Sequence, residues 1–279
     1  MASSEKQLRE LAAPVPDLTG VTQPQGTDLT ASQQKALETV LAHFSQPDYE
    51  LSGAKDGEGK LREEEMFWLA LTGKEVVFGF DVNGRPALYL CPSRQNTDES
   101  IRQVQFNVFM LERCIELMGP GVESVALMID YGQKSAKSPS ISLSRMVLNI
   151  LQTHYPERLG RALIINVPFL LNAFYKLITP LIDPVTRDKM RFNPKAVEDG
   201  LFTVDSVWKE FGGNIEFKYE HSTYWPQFME MTTARRKVQM EKWHSLGGKV
   251  GLKEWDIKGG DDNTQVPDAG EKFLGDSET

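Results

Sequence analysis

The sequence has few cysteines and no excess of positive charge. Only two of its 279 residues are cysteine, Cys91 and Cys114, and the formal net charge is −8. Two apolar-flanked cysteines in a chain of this length favour buried, reduced thiols over a disulfide framework. A negative net charge argues against wrapping nucleic acid, which requires a basic face. A local basic patch that meets an anionic membrane remains compatible with it.

Sequence motifs for catalysis and metal binding are also missing. The sequence contains no GxSxG elbow and no dinucleotide fingerprint. Its GAKDGEGK stretch (53–60) resembles a phosphate-binding loop, but the spacing is one residue too long and Leu61 replaces the required Ser or Thr. Asp130 ends a predicted strand, where α/β enzymes often place a carboxylate, but it has no recognisable catalytic partner. A hydrolase or phosphatase using Asp130 is the enzymatic alternative. The histidines show no metal-ligand spacing; they are His43, His154, His221 and His244.

One long apolar run is present, and it is not a membrane span. Residues 162–182 contain a single charge, Lys176, over about the length of a transmembrane helix. Pro168 is unsuited to a helix interior but fits a first turn, and Asn166 is costly inside hydrocarbon. We therefore predict a strand over 162–167 and an amphipathic helix from Pro168. The predicted apolar face of this helix comprises Leu170, Ala173, Phe174, Leu177, Ile178 and Leu181.

Strand and helix patterns alternate along the rest of the chain. Continuous apolar runs such as SVALMID are typical of strands buried on both faces, and the alternation predicts an α/β layered fold with mostly parallel strands. The predicted helices cover 30–45, 100–118, 142–155, the segment from Pro168, and 224–248. The predicted strands cover 75–81, 87–91, 124–130, 162–167 and 215–219, the first two joined by an Asn83-Gly84 hairpin turn.

The segment YPERLGRALIINVPFLLNAFYKLITPLIDPVTRDKM resembles the core signature of the CRAL-TRIO lipid-binding family, particularly the fungal phosphatidylinositol transfer proteins. The order YPER, strand, N-x-P, apolar helix and DP-x-T-x-x-K is distinctive. The resemblance extends from about Lys74 to about Gly259. It includes GRPALYLCPSRQNT, VFMLERCIELM, LMIDYG, FGGNIEFKY, YWPQF and SLGGKVGL.

The resemblance implies an α/β fold with a mostly parallel mixed sheet, flanked by helices, and a lipid cavity closed by a mobile helix. That gate helix corresponds to 168–182. Glu157 and Lys189 match the family's inositol-headgroup site, and we add Thr186 and Asp183 beside them. Judged by spacing alone, Glu157 and Lys189 would be solvated surface charges. For the gate and cavity we predict Phe169, Phe174, Leu177, Ile178, Leu181, Tyr89, Phe106, Met110 and Met128.

The sequence departs from the family pattern at the N-terminal helical subdomain. EEEMFWLA resembles the entry to that subdomain, but ALTGKEVVFGFD begins the sheet domain at once. A large block is therefore expected to be missing between Leu69 and Thr72. The expected organisation is a disordered N-terminus (1–28), a remnant helical region and linker (29–71), a CRAL-TRIO domain (72–258) and a disordered acidic tail (259–279). Loss of covering helices would leave apolar surface exposed.

These features predict a non-enzymatic protein that binds phosphatidylinositol and transfers phospholipid between membranes. The expected partners are a phospholipid and a transient membrane surface, without nucleic acid, metal or cofactor; the sequence identifies no protein partner. MASSEKQLRE lacks the apolar segment of a signal peptide, so a cytoplasmic protein with reversible membrane attachment is expected. The alternatives are a lipid sensor that presents its ligand to a kinase or another partner, and a truncated chain that binds no lipid.

Overall fold

The computed structural model describes residues 23, 28–46, 63–132 and 140–260, without the side chains of 63–64 and 170–172. The predicted disordered termini lie almost entirely outside these residues, and so do the GAKDGEGK stretch and most of the polar segment after Asp130. The helices are α1 (Ala31–Phe44), α2 (Glu63–Ala70), α3 (Ile101–Glu116), α4 (Ile141–His154), α5 (Phe169–Ile178), α6 (Pro184–Asp188), α7 (His221–Ser245) and α8 (Glu254–Ile257). The strands are β1 (Glu75–Phe80), β2 (Pro86–Leu90), β3 (Val125–Asp130), β4 (Leu159–Ile165) and β5 (Met190–Phe192).

The strands form one five-stranded sheet in the sequential order β1 to β5. The β1–β2 pair is antiparallel, as the Asn83-Gly84 turn predicts, and the other three pairs are parallel. The predicted mostly parallel mixed sheet flanked by helices is therefore confirmed. Because parallel strands require crossover connections, helices α3, α4 and α5 each lie between two consecutive strands.

The first face of the sheet is completely filled. Val76, Tyr89, Met128 and Leu163 pair in register across four strands, so their side chains project from the same face. All four are fully buried. The ring of Trp208 stacks on Tyr89 with 3.8 Å between ring centroids, which closes this face with aromatic packing.

The free edge of β1 is protected by a single tyrosine of α7. The hydroxyl of Tyr224 accepts a hydrogen bond from the Val77 N–H at 2.8 Å and donates one to the Val77 carbonyl at 3.0 Å. This arrangement satisfies backbone groups that an edge strand would otherwise leave unpaired. The long helix α7 ends before Gly247, as its sequence predicts. Both cysteines are buried free thiols, as expected.

The predicted strand over 215–219 is wrong. Only Ile215 makes a strand-like bridge, with Trp208, and 216–219 have no assigned secondary structure and no ladder partner. Ile215, Phe217 and Tyr219 nevertheless pack against the main core. The alternating apolar residues therefore reflect packing onto the core, and strand pairing is not required to explain them.

Helix α5 forms where the sequence predicts it, with Pro168 as its N-cap, but its buried side differs from the predicted face. Tyr175, Ile178 and Ile182 are buried, whereas Ala173 and Leu177 are exposed. The buried side is rotated because Tyr175, a polar-tipped residue, packs inward. In the described part of the chain, no helix is long and apolar enough to cross a membrane.

Candidate functional site

The second face of the sheet is incompletely covered. Leu90, Leu127 and Ile129 project from this face, since they alternate with the fully buried Tyr89 and Met128 along β2 and β3. All three remain only partly buried. A central strand of a parallel sheet is normally buried on both faces. Part of the apolar surface of this face is therefore left for something other than the described side chains to cover.

Helices α4 and α5, which lie beside this face, also show uncovered apolar surface. Seven of the residues of α4 are aliphatic or Met, yet the helix contains no buried residue, and Ile141 and Met146 are exposed. On α5, Phe169 has 86% and Leu177 has 56% of its surface exposed. Exposed apolar surface beside a sheet face is often found at ligand grooves and membrane contacts.

A small apolar cluster attaches α5 to the sheet. Its buried members come from β4, α5 and the residues just after β3 and α5, and Ile129 packs against it, which places α5 on the second face. The Tyr131 and Tyr175 hydroxyls form a hydrogen bond of 2.9 Å inside this cluster. The buried members are Tyr131, Ile164, Tyr175, Ile178 and Ile182.

A polar corner lies where β4 and β5 begin. The Lys189 ammonium lies 3.0 Å from a carboxylate oxygen of Glu157. The Ala162 N–H donates to the Lys189 carbonyl at 2.9 Å, which fixes Lys189 beside β4. Glu157 has a φ of 59°, so the chain turns sharply before β4. The Lys189 side chain is mostly buried and that of Glu157 is mostly exposed.

Asp183 and Thr186 shape the same corner through a helix cap. The Asp183 carboxylate accepts a hydrogen bond from the Thr186 N–H at 2.8 Å and caps α6. Hydrogen bonds from Thr186 lower the pKa of Asp183, so the carboxylate is ionised at neutral pH. The two residues thereby fix α6, whose last residue immediately precedes Lys189. Asp183, Thr186 and Lys189 lie in the segment between α5 and β5, and the ion pair with Lys189 brings Glu157, which precedes β4, to this segment.

The predicted cavity residues do not form a single lining. Ile178, Phe174 and Leu181 lie in or near the α5 region, but Tyr89 and Met128 lie on the opposite, filled face of the sheet. Two further predicted residues, Phe106 and Met110 of α3, are fully buried members of the main core. Leu90, Leu127 and Ile129 were not predicted, since a continuous apolar run does not indicate which of its two faces lacks a cover.

Asp130 has a structural role at the end of β3. Its carboxylate accepts from the Gly132 N–H and from the Asn166 side-chain amide, both at 2.8 Å. These bonds connect the ends of β3 and β4 and occupy one oxygen of the carboxylate, Oδ1. Among the described residues, no group of histidine, cysteine and carboxylate side chains has the arrangement of a metal site.

Comparisons with known proteins agree with these features. The CRAL/TRIO domain model matches residues 71–213. The CRAL-TRIO domain-containing protein C23B6.04c of Schizosaccharomyces pombe is 49% identical over 255 residues, which make up 86% of this chain and 25% of that protein. The phosphatidylinositol transfer protein PDR17 of Saccharomyces cerevisiae is 35% identical over 246 residues, 85% of this chain and 69% of that protein.

Two further similarities have lower sequence identity and cover a smaller share of this chain. The phosphatidylinositol transfer protein CSR1 of Eremothecium gossypii is 22% identical over 177 residues, 62% of this chain and 41% of that protein. The crystal structure of Sfh5 is a partial likeness, with a TM-score of 0.47 and 17% identity over 60% of this chain and 63% of that one. The chain thus spans a quarter of the first relative above and about two thirds of PDR17. With the family model matching about half of its 279 residues, the chain belongs to the CRAL/TRIO domain family.

Proposed function

We propose that this chain binds one phospholipid, with phosphatidylinositol as the best-fitting headgroup, and transfers it between membranes without catalysis. The observation that carries the proposal is the unequal covering of β3. Ala126 and Met128 are fully buried, whereas Leu127 and Ile129 on the other face are only partly covered. Acyl chains lying between this face and helices α4 and α5 would complete the missing cover.

The energetic demand of a lipid suits such a site. Each acyl CH₂ left in water costs about 0.8 kcal/mol, so a chain of roughly sixteen carbons requires on the order of 10 kcal/mol of shelter. Space between the second face of the sheet and helices α4 and α5 would provide that shelter. Helix α5 acts as the gate in this proposal, because it lies over the face and Phe169 and Leu177 expose apolar surface to the outside.

The polar corner provides chemistry for an inositol phosphate headgroup. A phosphodiester needs a cation, and inositol hydroxyls need hydrogen-bond partners in a partly desolvated place. Lys189 binds the phosphate in this proposal. Glu157, now 3.0 Å from Lys189, orients the ammonium or accepts from inositol hydroxyls. Asp183 and Thr186 position the loop through the cap of α6.

The surroundings of α5 fit a membrane encounter. Cationic side chains follow the exposed apolar surface of the helix, and anionic lipid surfaces attract such residues. We infer a cytoplasmic protein that attaches reversibly to membranes through this side. The cationic residues are Lys176, Arg187, Lys189, Arg191 and Lys195. The names of two relatives, phosphatidylinositol transfer proteins PDR17 and CSR1, support the same lipid class.

The first test is mass spectrometry of lipids extracted from the purified chain. Phosphatidylinositol at close to one molecule per chain is the expected result. A folded protein that carries no phospholipid, and takes none up from phosphatidylinositol vesicles, would contradict the proposal. It would favour a chain that retains the family's sequence but not its ligand. Transfer between vesicles in the absence of any other protein distinguishes a carrier from a sensor that must present its lipid to a partner.

The headgroup assignment is tested by Lys189→Ala. The variant loses the cation that meets the phosphate, so phosphatidylinositol transfer should fall at least tenfold, consistent with the loss of a charge-assisted hydrogen bond. The measurement is transfer of labelled phosphatidylinositol between vesicles. Lys209→Ala is the matched control, because it removes an exposed ion pair with Glu216 (2.9 Å) on another surface. Equal transfer by both variants would refute the role of Lys189.

A further inference from the structure

The Tyr131–Tyr175 pair connects the end of β3 to the middle of α5. Both side chains are buried, and their hydroxyl oxygens are 2.9 Å apart. The rings meet edge to face with centroids 6.4 Å apart. Within the described part of the chain, this is the only hydrogen bond of either hydroxyl group. The pair is therefore a single polar connection inside an otherwise apolar cluster.

The other connections of α5 to the body of the protein are weak or apolar. Ile178 and Ile182 pack on Ile164, and the ring of Tyr175 also contacts that of Phe192 at 5.1 Å. The Gln152 amide donates to the Leu181 carbonyl at 3.3 Å, beyond the end of the helix. The opposite side of α5 is exposed at Phe169 and Leu177. Few buried contacts make a segment easy to open locally, so one buried hydrogen bond carries a large share of its attachment.

Both hydroxyls are neutral in this environment. Burial raises the pKa of Tyr131 and of Tyr175, so each hydroxyl keeps its proton throughout the neutral range. One hydroxyl donates to the other while α5 lies against the sheet. When α5 moves away, both hydroxyls gain water. The free energy of opening is therefore the net free energy of one buried hydrogen bond plus the free energy of exposing the apolar side chains that separate.

We propose that the Tyr131–Tyr175 hydroxyl pair is the latch that holds α5 closed over the partly covered sheet face and so sets the rate of lipid exchange. The tyrosines are positioning residues that act through the helix. This inference rests on the proposed function for its link to lipid exchange. Its structural part, the control of α5 opening, stands without any lipid.

The physics of paired hydroxyls gives the latch a recognisable signature. Removing one hydroxyl leaves the other buried without a partner, which costs more than the bond itself. Replacing both leaves two apolar rings of the same shape, which is close to neutral. Tyr131→Phe and Tyr175→Phe should each open α5 about five- to tenfold more often. The double variant should return close to the wild-type frequency.

The structural test is hydrogen–deuterium exchange of lipid-free protein over 169–178. Faster exchange in both single variants, with recovery in the double variant, is the expected result. Tyr219→Phe is the matched control, because it removes a tyrosine hydroxyl that donates to the Ala70 carbonyl at 2.8 Å, far from α5. Unchanged exchange in the single variants, or additive effects in the double variant, would overturn the latch.

The functional test is vesicle-to-vesicle phosphatidylinositol transfer by the same variants. Each single variant should transfer about fivefold faster and should lose pre-loaded lipid faster during gel filtration. If wild-type protein transfers lipid and the single variants match it, the latch is refuted while the carrier function stands. If no variant binds lipid, the proposed function fails, and the exchange experiment still decides whether the hydroxyl pair holds α5.

Discussion

At the residue scale, Glu75 is a carboxyl group buried at the start of β1. The Gln103 side-chain NH₂ donates to one of its oxygens at 2.9 Å, while the neighbouring Lys74 ammonium donates to the side-chain amide oxygen of Gln103 at 2.6 Å. Burial raises the pKa of Glu75 to about 8, despite the adjacent charge of Lys74. The folded protein thus holds a proton that the unfolded chain releases at much lower pH.

This difference predicts a pH-dependent stability. Since the folded state binds the extra proton, stability should fall as pH rises from about 5 to 8. Glu75→Gln has no ionisable group at this site, so it should lose that part of the decline and melt above the wild type at pH 8. Thermal melting at intervals between pH 5 and 8 is the measurement. If the melting temperatures of Glu75→Gln and of the wild type differ by the same amount at every pH, the assignment is contradicted. Burial also lowers the pKa of Lys74 to about 8, so Lys74 itself begins to lose its proton at the upper end of this pH range, in the wild type and in the variant alike.

The residues of the polar corner could be identified from the sequence, whereas the hydroxyl latch could not. Glu157 and Lys189 are 32 positions apart, and only the motif order of the family connects them before the structure is known. Tyr131 and Tyr175 have no such motif. Their pairing depends on the rotation of α5, which the apolar pattern alone places incorrectly because it counts Leu177 and omits Tyr175.

At the scale of elements, strand and helix positions follow from the sequence wherever burial and backbone pairing coincide. The run SVALMID becomes β3 because each of its residues faces protein on at least one side. The segment 215–219 shows the opposite case, since its alternation reflects packing on the core without a neighbouring strand. Periodicity reports which side chains are covered, and it does not report the hydrogen-bond partner of the backbone.

The outer side of α5 leads to a prediction about membranes. Phe169 has 86% of its surface exposed, so Phe169→Gln should change the free energy of unfolding by no more than about 0.5 kcal/mol. The same substitution should weaken binding to vesicles containing anionic lipid, because an apolar insertion point is lost. Vesicle co-sedimentation and urea unfolding are the measurements.

Val238→Gln provides the control for Phe169→Gln. Val238 lies on α7 with 58% of its surface exposed, so the substitution removes a comparably exposed apolar group from another helix. Vesicle binding should stay at the wild-type level in this variant. Equal loss of binding in both variants would indicate general adhesion through exposed apolar residues, and it would remove α5 from the membrane contact.

At the scale of the whole molecule, the two faces of the sheet are covered by different kinds of structure. The segment between β5 and α7 fills the first face with Trp208 and its neighbours, whereas α4 and α5 cover the second face incompletely. Composition and alternation predict the layered architecture. They do not predict which face of the sheet is only partly buried, because that burial depends on contacts between segments that are far apart in the sequence.

The junction between α2 and β1 bears on the predicted missing block. Helix α2 ends at Ala70 and β1 begins at Glu75, so the chain enters the sheet directly after this helix. Leu69 and Ala70 are buried in the main core, but Trp68 and Phe67 have 61% and 44% of their surface exposed. Ile101, at the start of α3, is also exposed. Exposed aromatic surface next to this junction fits the loss of covering helices, although the missing block itself stays a prediction.

This exposed surface predicts self-association of the whole chain. Large apolar side chains in water are attracted to similar surfaces on a second copy, and Trp68 contributes the largest single area. Sedimentation velocity over a range of protein concentrations should show association that Trp68→Gln reduces. Thermal stability should change little, since the Trp68 side chain is mostly in solvent. Val204→Gln, which changes an exposed valine far along the chain, should associate like the wild type. A wild-type chain that stays monomeric at high concentration would show that the apolar surface beside α2 is too small to attract a partner, and it would remove the predicted consequence of a missing subdomain.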